Sequence, residues 1–173
     1  NDIRNQIFNG ELTKDDWLVE TAIAKQRDIN KIHVSYALQQ LAEEGFKVSL
    51  YEMRPKTTTP AHKTNNFAEL VCSNTFGSTT DYSAPGQLKW EAEKMGSFIL
   101  KTAKEAATPA GMALGVDRKI FAEKITQTLK NHPNITIVEK TIQSLDDVPR
   151  PAVIATGPLT HEPLAMDLKK HFD

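Results

Sequence analysis

Apolar residues recur along this chain with two different periods, and the changes of period mark its elements. From Thr13, TKDD has the form of a helix start: a hydroxyl able to accept from a backbone N–H three residues on, with acids in the first turn. Leu18, Ala22, Ile23, Ile29, Ile32, Ala37, Leu38, Leu41 and Ala42 follow at roughly helical spacing, with a polar break at KQRDIN. Two helices, or one bent one, are expected there, ending at EEG with Gly45 as the C-cap. FKVSLYE alternates and stops at MRP, which predicts a strand. RPKTTTPAHKTNN is a long polar loop carrying two prolines.

From 85 to 107 the period is helical again, with Leu88, Ala92, Met95, Ile99 and Ala103 stepping by three or four as a core-packing stripe. TPAGMALGV reads as a glycine-containing extended segment. Asp117 is placed to cap a helix with Ile120, Phe121, Ile125 and Leu129 on one face, and HPN ends it. ITIVEK and PAVIATG read as short strands, the second β-branched and closing on Gly157. HEPLAMDLKKHF reads as a last helix with Lys169, Lys170 and His171 in its final turn, where cations suit the dipole. Helices alternating with short apolar strands predict an α/β domain around a mainly parallel sheet.

Composition narrows the class. A chain of 173 residues with 39% hydrophobic and 25% charged positions is expected to be one soluble globular domain, or one domain with an appendage. A net charge of −1 gives no global attraction to nucleic acid or anionic membrane, and no basic stripe with interleaved aromatics stands out. No apolar run has the length of a membrane segment. The single cysteine excludes an internal disulfide and fits a reducing interior, cytoplasmic or organellar. His33, His62, His132, His161, His171 and Cys72 show no close metal-ligand spacing, so no metal site is expected.

Three features carry candidate chemistry. Glu52 ends the FKVSLYE strand, where a doubly wound nucleotide-binding fold keeps an acid for a ribose hydroxyl; an ordinary exposed Glu reads as well from the residue alone. PAVIATG ends in small residues that let a backbone pass close to a ligand, and it reads equally as a plain strand-to-loop turn. Cys72, in FAELVCSN, is either a small hydrophobe or a thiol tuned by nearby charge. The G-x-G-x-x-G partner of such an acid is missing: counting back from Glu52 places its turn near INKIHV, KQRD stands where the opening strand is expected, and no glycine occurs between Gly10 and Gly45.

YEMRP, TTPAH, FAELVCSN, PAGMALGVDR and VIATGPLT, in this order and at these intervals, closely resemble the folate- and FAD-dependent tRNA (uracil-5-)-methyltransferase family in its N-terminal region. The resemblance runs from about Leu38 to the end. It implies a partial Rossmann-like α/β domain of the FAD/NAD-binding type over 37–173, with 1–36 a divergent helical extension. It further implies transfer of a methylene from methylenetetrahydrofolate to a tRNA uracil and its reduction through FADH2, with NAD(P)H as reductant. Glu52 is then similar to the family's FAD ribose ligand, with Arg54 in the adjoining motif, and Ala155, Thr156 and Gly157 to its cofactor-lining ATG segment. Cys72 is similar to the family's functional cysteine near the flavin, and Asp117 and Arg118 match VDR, for which a structural or cofactor-proximal role is expected.

Departures from the pattern open further readings. The glycine turn and its strand are missing, residues 1–36 do not resemble the family, Met112 and Gly115 alter the packing of PAGMALGVDR, and the chain stops soon after VIATGPLT. Family members continue through a second part that completes the flavin site, supplies a second functional cysteine and contacts tRNA and folate. Each lost hydrogen bond to the charged pyrophosphate costs roughly 1.5–3 kcal/mol, so weak FAD binding by this chain alone is expected. The chain is thus read as a truncated or degenerate form of the methyltransferase, a fragment or splice form. It reads alternatively as a non-catalytic subunit docking protein partners through residues 1–36, or as a binder of a different nucleotide through Glu52 and ATG.

Overall fold

The computed structural model describes residues 17–19, 42 and 45–172 of the chain. They group into two compact units, one formed by Asn1–Thr59 with Thr136–Asp173 and the other by Pro60–Ile135. Parallel and antiparallel strand pairs occur with helices, so the fold is mixed α/β.

In the first unit, β1 (Trp17–Val19) pairs in parallel with β7 (Ala152–Ile154), in register Trp17↔Ala152, Leu18↔Val153 and Val19↔Ile154. Helical spacing predicts a helix through this stretch. An aromatic and two branched residues in a row prefer a pleated surface once a partner strand is offered, and the tertiary pairing overrides the weak helical period. The same strand corrects the expectation that the opening strand is missing: it lies upstream of KQRD and beside the ATG segment. The TKDD helix start, the remaining expected helical positions up to Leu41, and most of 1–36 lie outside the described residues.

Ala42 is helical and fully buried, and Gly45 accepts the left-handed φ of 95° that ends the turn, its N–H donating to the Ala42 carbonyl at 3.2 Å. β2 (Val48–Glu52) pairs with β6 (Ile135–Glu139), strands expected from the alternation of FKVSLYE and from the short run ITIVEK. The Lys140 N–H donates to the Glu52 carbonyl at 3.0 Å, Lys56 Nζ to the Glu139 carbonyl at 2.7 Å, and the Thr57 and Thr141 hydroxyls share a bond of 2.6 Å. α4 (Glu162–Phe172) packs on a short 3-10 helix, Leu145–Asp147, burying Leu145 and Leu164. Asp167 fixes that contact by accepting from the Leu145 N–H at 2.8 Å and the Ser144 hydroxyl at 3.0 Å.

The second unit is continuous in sequence. β3 (Thr75–Ser78), β5 (Ala113–Val116) and β4 (Ala107–Thr108) form an antiparallel sheet in the order β3-β5-β4. The extended segment expected at TPAGMALGV is therefore two strands and a turn, with Gly111 at φ 61°. The single helix expected over 85–107 is two: α1 (Ala84–Lys94) and α2 (Phe98–Glu105). Gly96 at φ 80° makes the break, and Ser97 then caps α2 through its hydroxyl. Ser83 caps α1, with Pro85 in the first turn. α3 (Arg118–Asn131) starts at Asp117, whose carboxylate accepts from the N–H groups of Lys119 and Ile120, both at 2.9 Å. Phe121, Ile125, Val116, Leu100 and Ala103 make the core, with Phe76 edge-on to Phe121 at 5.5 Å between ring centres. No helix among the described residues is long and apolar enough to cross a membrane.

Candidate functional site

Glu52, the last residue of β2, does not stand as an exposed acid. Arg54 turns back on it, donating from its backbone N–H and Nε to Oε1 at 2.9 and 3.0 Å and from Nη2 to Oε2 at 3.0 Å. The guanidinium is 7% exposed and the carboxylate side chain 17%. The YEMR motif thus builds a forked clasp that fixes the carboxylate's orientation at the strand's end. The sequence places Arg54 only in an adjoining motif; the two-residue spacing is what allows the side chain to fold back.

Ala155, Thr156 and Gly157 leave the C-terminal end of β7 and are all exposed. Because β1 and β7 are parallel and in register, their C-terminal residues Val19 and Ile154 lie at one end of the pair, where the ATG segment begins. Strand C-termini at such an end are where doubly wound folds hold nucleotides. Gly157 adopts φ 67°, and a Cβ built on it would meet nothing within 4 Å, so its backbone borders open space. A pair of threonines steadies the turn: their hydroxyls, on Thr156 and Thr160, share a bond of 2.6 Å, and Thr160 donates to the Gly157 carbonyl at 2.7 Å. Glu20, Thr21, Ala22 and Ile23, which follow β1 in sequence, include no glycine.

Cys72 lies in the second unit, exposed and in no disulfide, three residues before β3. The structure brings it to Arg118, whose Nη2 donates to the Cys72 carbonyl at 3.4 Å. Its neighbour Asn74 exchanges two hydrogen bonds with Val116: the Val116 N–H donates to the Asn74 carbonyl at 2.9 Å, and Asn74 Nδ2 donates to the Val116 carbonyl at 3.3 Å. Upstream, the Phe67 N–H donates to Thr126 Oγ1 at 2.8 Å, and Ala68 takes the left-handed φ of 54° that a non-glycine residue adopts only when its surroundings enforce it. Two motifs separated by over forty residues, ELVCSN and GVDR, therefore hold one another.

Glu69 closes the polar loop before the cysteine. Its carboxylate accepts from the N–H of Lys63 at 2.9 Å, the N–H of Thr64 at 3.2 Å and the Thr64 hydroxyl at 3.1 Å. Burial pushes its pKa up, but those bonds and the charge of His62 outweigh it and hold the group below the usual carboxylate value. Neither Glu69 nor Thr126 stands out in the sequence. The available signal for Glu69 is an acid a few residues after a Thr-rich turn.

The family profile described as glucose inhibited division protein A matches residues 35–171. Among curated relatives, methylenetetrahydrofolate--tRNA-(uracil-5-)-methyltransferase TrmFO of Bdellovibrio bacteriovorus is 62% identical over 133 residues, covering 77% of this chain and 30% of the relative. The protein of the same name from Aquifex aeolicus is 52% identical over 138 residues, covering 79% of this chain and 30% of the relative. That of Sulfurihydrogenibium sp. is 51% identical over 136 residues, with 79% and 31% covered. The chain spans about 30% of the length of these relatives. The matched stretch holds the Glu52–Arg54 clasp, the Cys72 loop with its GVDR anchor, and the ATG turn, and by that match the chain belongs to the glucose inhibited division protein A family, with its Rossmann-type FAD-binding α/β fold.

Proposed function

We propose that this chain is the nucleotide-binding portion of a methylenetetrahydrofolate- and FAD-dependent tRNA (uracil-5-)-methyltransferase, with NAD(P)H as the reductant. The observation that carries the reading is the 62% identity over 133 residues to a relative bearing that name. The clasped Glu52 and the open backbone at Gly157 fit the nucleotide end of FAD: a carboxylate of fixed direction for a ribose hydroxyl, and a turn free of side chain where a backbone can approach a ligand. Bound flavin supplies the electrons that reduce a transferred methylene to methyl. Glu52 orients, Ala155, Thr156 and Gly157 line the approach, and Cys72 supplies the functional thiol.

The experiment is a visible absorption spectrum of the purified native chain, with released cofactor identified after denaturation. Flavin retained near one per chain, and lost in Glu52→Ala, is the expected result for a working nucleotide site. A colourless, folded chain that takes up no added FAD refutes it. A second reading, a non-catalytic flavoprotein-derived subunit using residues 1–36 for protein partners, is favoured by one observation: no glycine occurs from 11 to 44, so the residues after β1 offer no close backbone cradle for a pyrophosphate. A colourless chain that co-purifies with a stoichiometric partner, lost on deleting 1–36, supports that reading instead.

A further inference from the structure

The loop bearing Cys72 is fixed at three places, and the middle one is unlike the others. Phe67 and Asn74 are held by a buried threonine and by strand backbone, contacts that serve packing. The Cys72 carbonyl is held by an exposed arginine at the first position of α3. A cation there faces the positive end of the helix dipole, which the Asp117 carboxylate at the N-cap already offsets. Helix stability therefore gives no reason for arginine at this place, and the contact it makes is with the cysteine residue itself. Covalent geometry then bounds the distance from guanidinium to sulfur at roughly 9 Å. That is comparable to the screening length of about 8 Å at physiological salt, so the cation acts on charge at the sulfur and salt weakens it.

We propose that Arg118 is the positioning residue for Cys72: it fixes the cysteine's backbone and keeps a permanent positive charge beside the thiol. Its meaning for catalysis rests on the reading of Cys72 as the functional thiol, while its test needs neither flavin nor tRNA. Cys72 is the sole cysteine, so any thiol signal from the chain is its own.

The test compares disulfide-exchange rates of the whole folded chain with dianionic dithiobis-nitrobenzoate and with neutral dithiodipyridine. Arg118→Gln keeps an N–H donor but loses the charge, so the ratio of anionic to neutral rate falls about threefold, the size of a screened single-charge attraction. Arg118→Lys restores the ratio. Arg118→Ala loses both functions, so its ratio falls and amide exchange over 70–73 accelerates, with the thermal midpoint unchanged. A ratio and exchange rate equal to wild type in both Gln and Ala variants overturns the proposal. Should the Ala variant fail to fold, the Gln variant and a salt titration of wild type decide: a ratio insensitive to salt overturns it, and a ratio that falls toward the Gln value supports it. Absence of flavin with the ratio intact counts against the methyltransferase reading and leaves Arg118's role standing.

Discussion

Arg54 folds back onto Glu52 two residues upstream and grips both carboxylate oxygens, so the acid that ends β2 and the cation that follows it form one unit. An arginine cannot shed its charge, so removing the acid leaves a cation that is only 7% exposed. Glu52→Gln is expected to cost about 1.5–3 kcal/mol in urea unfolding, and Arg54→Lys, which loses the fork, about 1 kcal/mol. Single variants with wild-type midpoints would show the clasp contributes nothing.

Among the described residues, Glu69, Asp167 and Asp147 contribute, alongside Glu105, to the acid limb of stability. The Glu69 pKa is lowered from 4.5 for the reasons given above. Asp167 is lowered from 3.8, first by the Leu145 N–H and then by the Ser144 hydroxyl. Asp147 is lowered from 3.8 by the N–H groups of Gln143 and Ser144. A folded pKa below the unfolded one means stabilisation that is complete above the unfolded value and lost as pH falls through the folded value. The thermal midpoint should therefore decline as pH drops below the ordinary carboxylate range of about 4. In Glu69→Gln, amide exchange at Lys63 and Thr64 should become fast and independent of pH between 3 and 5, apart from the intrinsic chemical rate, where wild type shows a transition.

Phe121 is 1% exposed and meets the edge of Phe76 across the junction of α3 and β3. Phe121→Ala should cost about 3–5 kcal/mol in chemical unfolding, and Phe121→Leu distinctly less. A loss for Ala below about 1 kcal/mol would mean the neighbours collapse into the space.

Gly157 and Gly45 share a left-handed φ and open surroundings, yet only Gly157 follows the ATG strand. Ala at either position should cost about 1–2 kcal/mol from backbone strain alone. If the turn borders a nucleotide, Gly157→Val lowers flavin affinity well beyond its stability loss, and Gly45→Ala leaves affinity unchanged. Equal effects of the two on affinity would place the nucleotide elsewhere.

Elements with long, regular periods were legible from the residues: β2, β6, α3 and α4 lie where the pattern places them, and Asp117 caps as expected. The break between α1 and α2 was missed because the apolar steps run smoothly across Gly96, and the glycine's left-handed φ declares itself only in three dimensions. β3 was missed because TFGS is short, nearly all small or polar, and owes its extension to β5. β1 was hidden inside a helical spacing whose partner lies at the far end of the chain. Of the candidate site, the motifs nominate residues but not their contacts. Nothing in ELVCSN and VDR read separately indicates that an arginine of one donates to a carbonyl of the other.

The pairing of β1 with β7 also dictates an order of assembly. Val19 cannot meet Ile154 until the chain between them has been made, whereas Pro60–Ile135 contains every strand of its own sheet. During synthesis the continuous unit can close first, and β1 waits as an unpaired edge until translation reaches residue 154. When the unfolded chain is returned to native conditions, amide protection within β3, β5 and β4 is thus expected to arrive before protection of Leu18 and Val19.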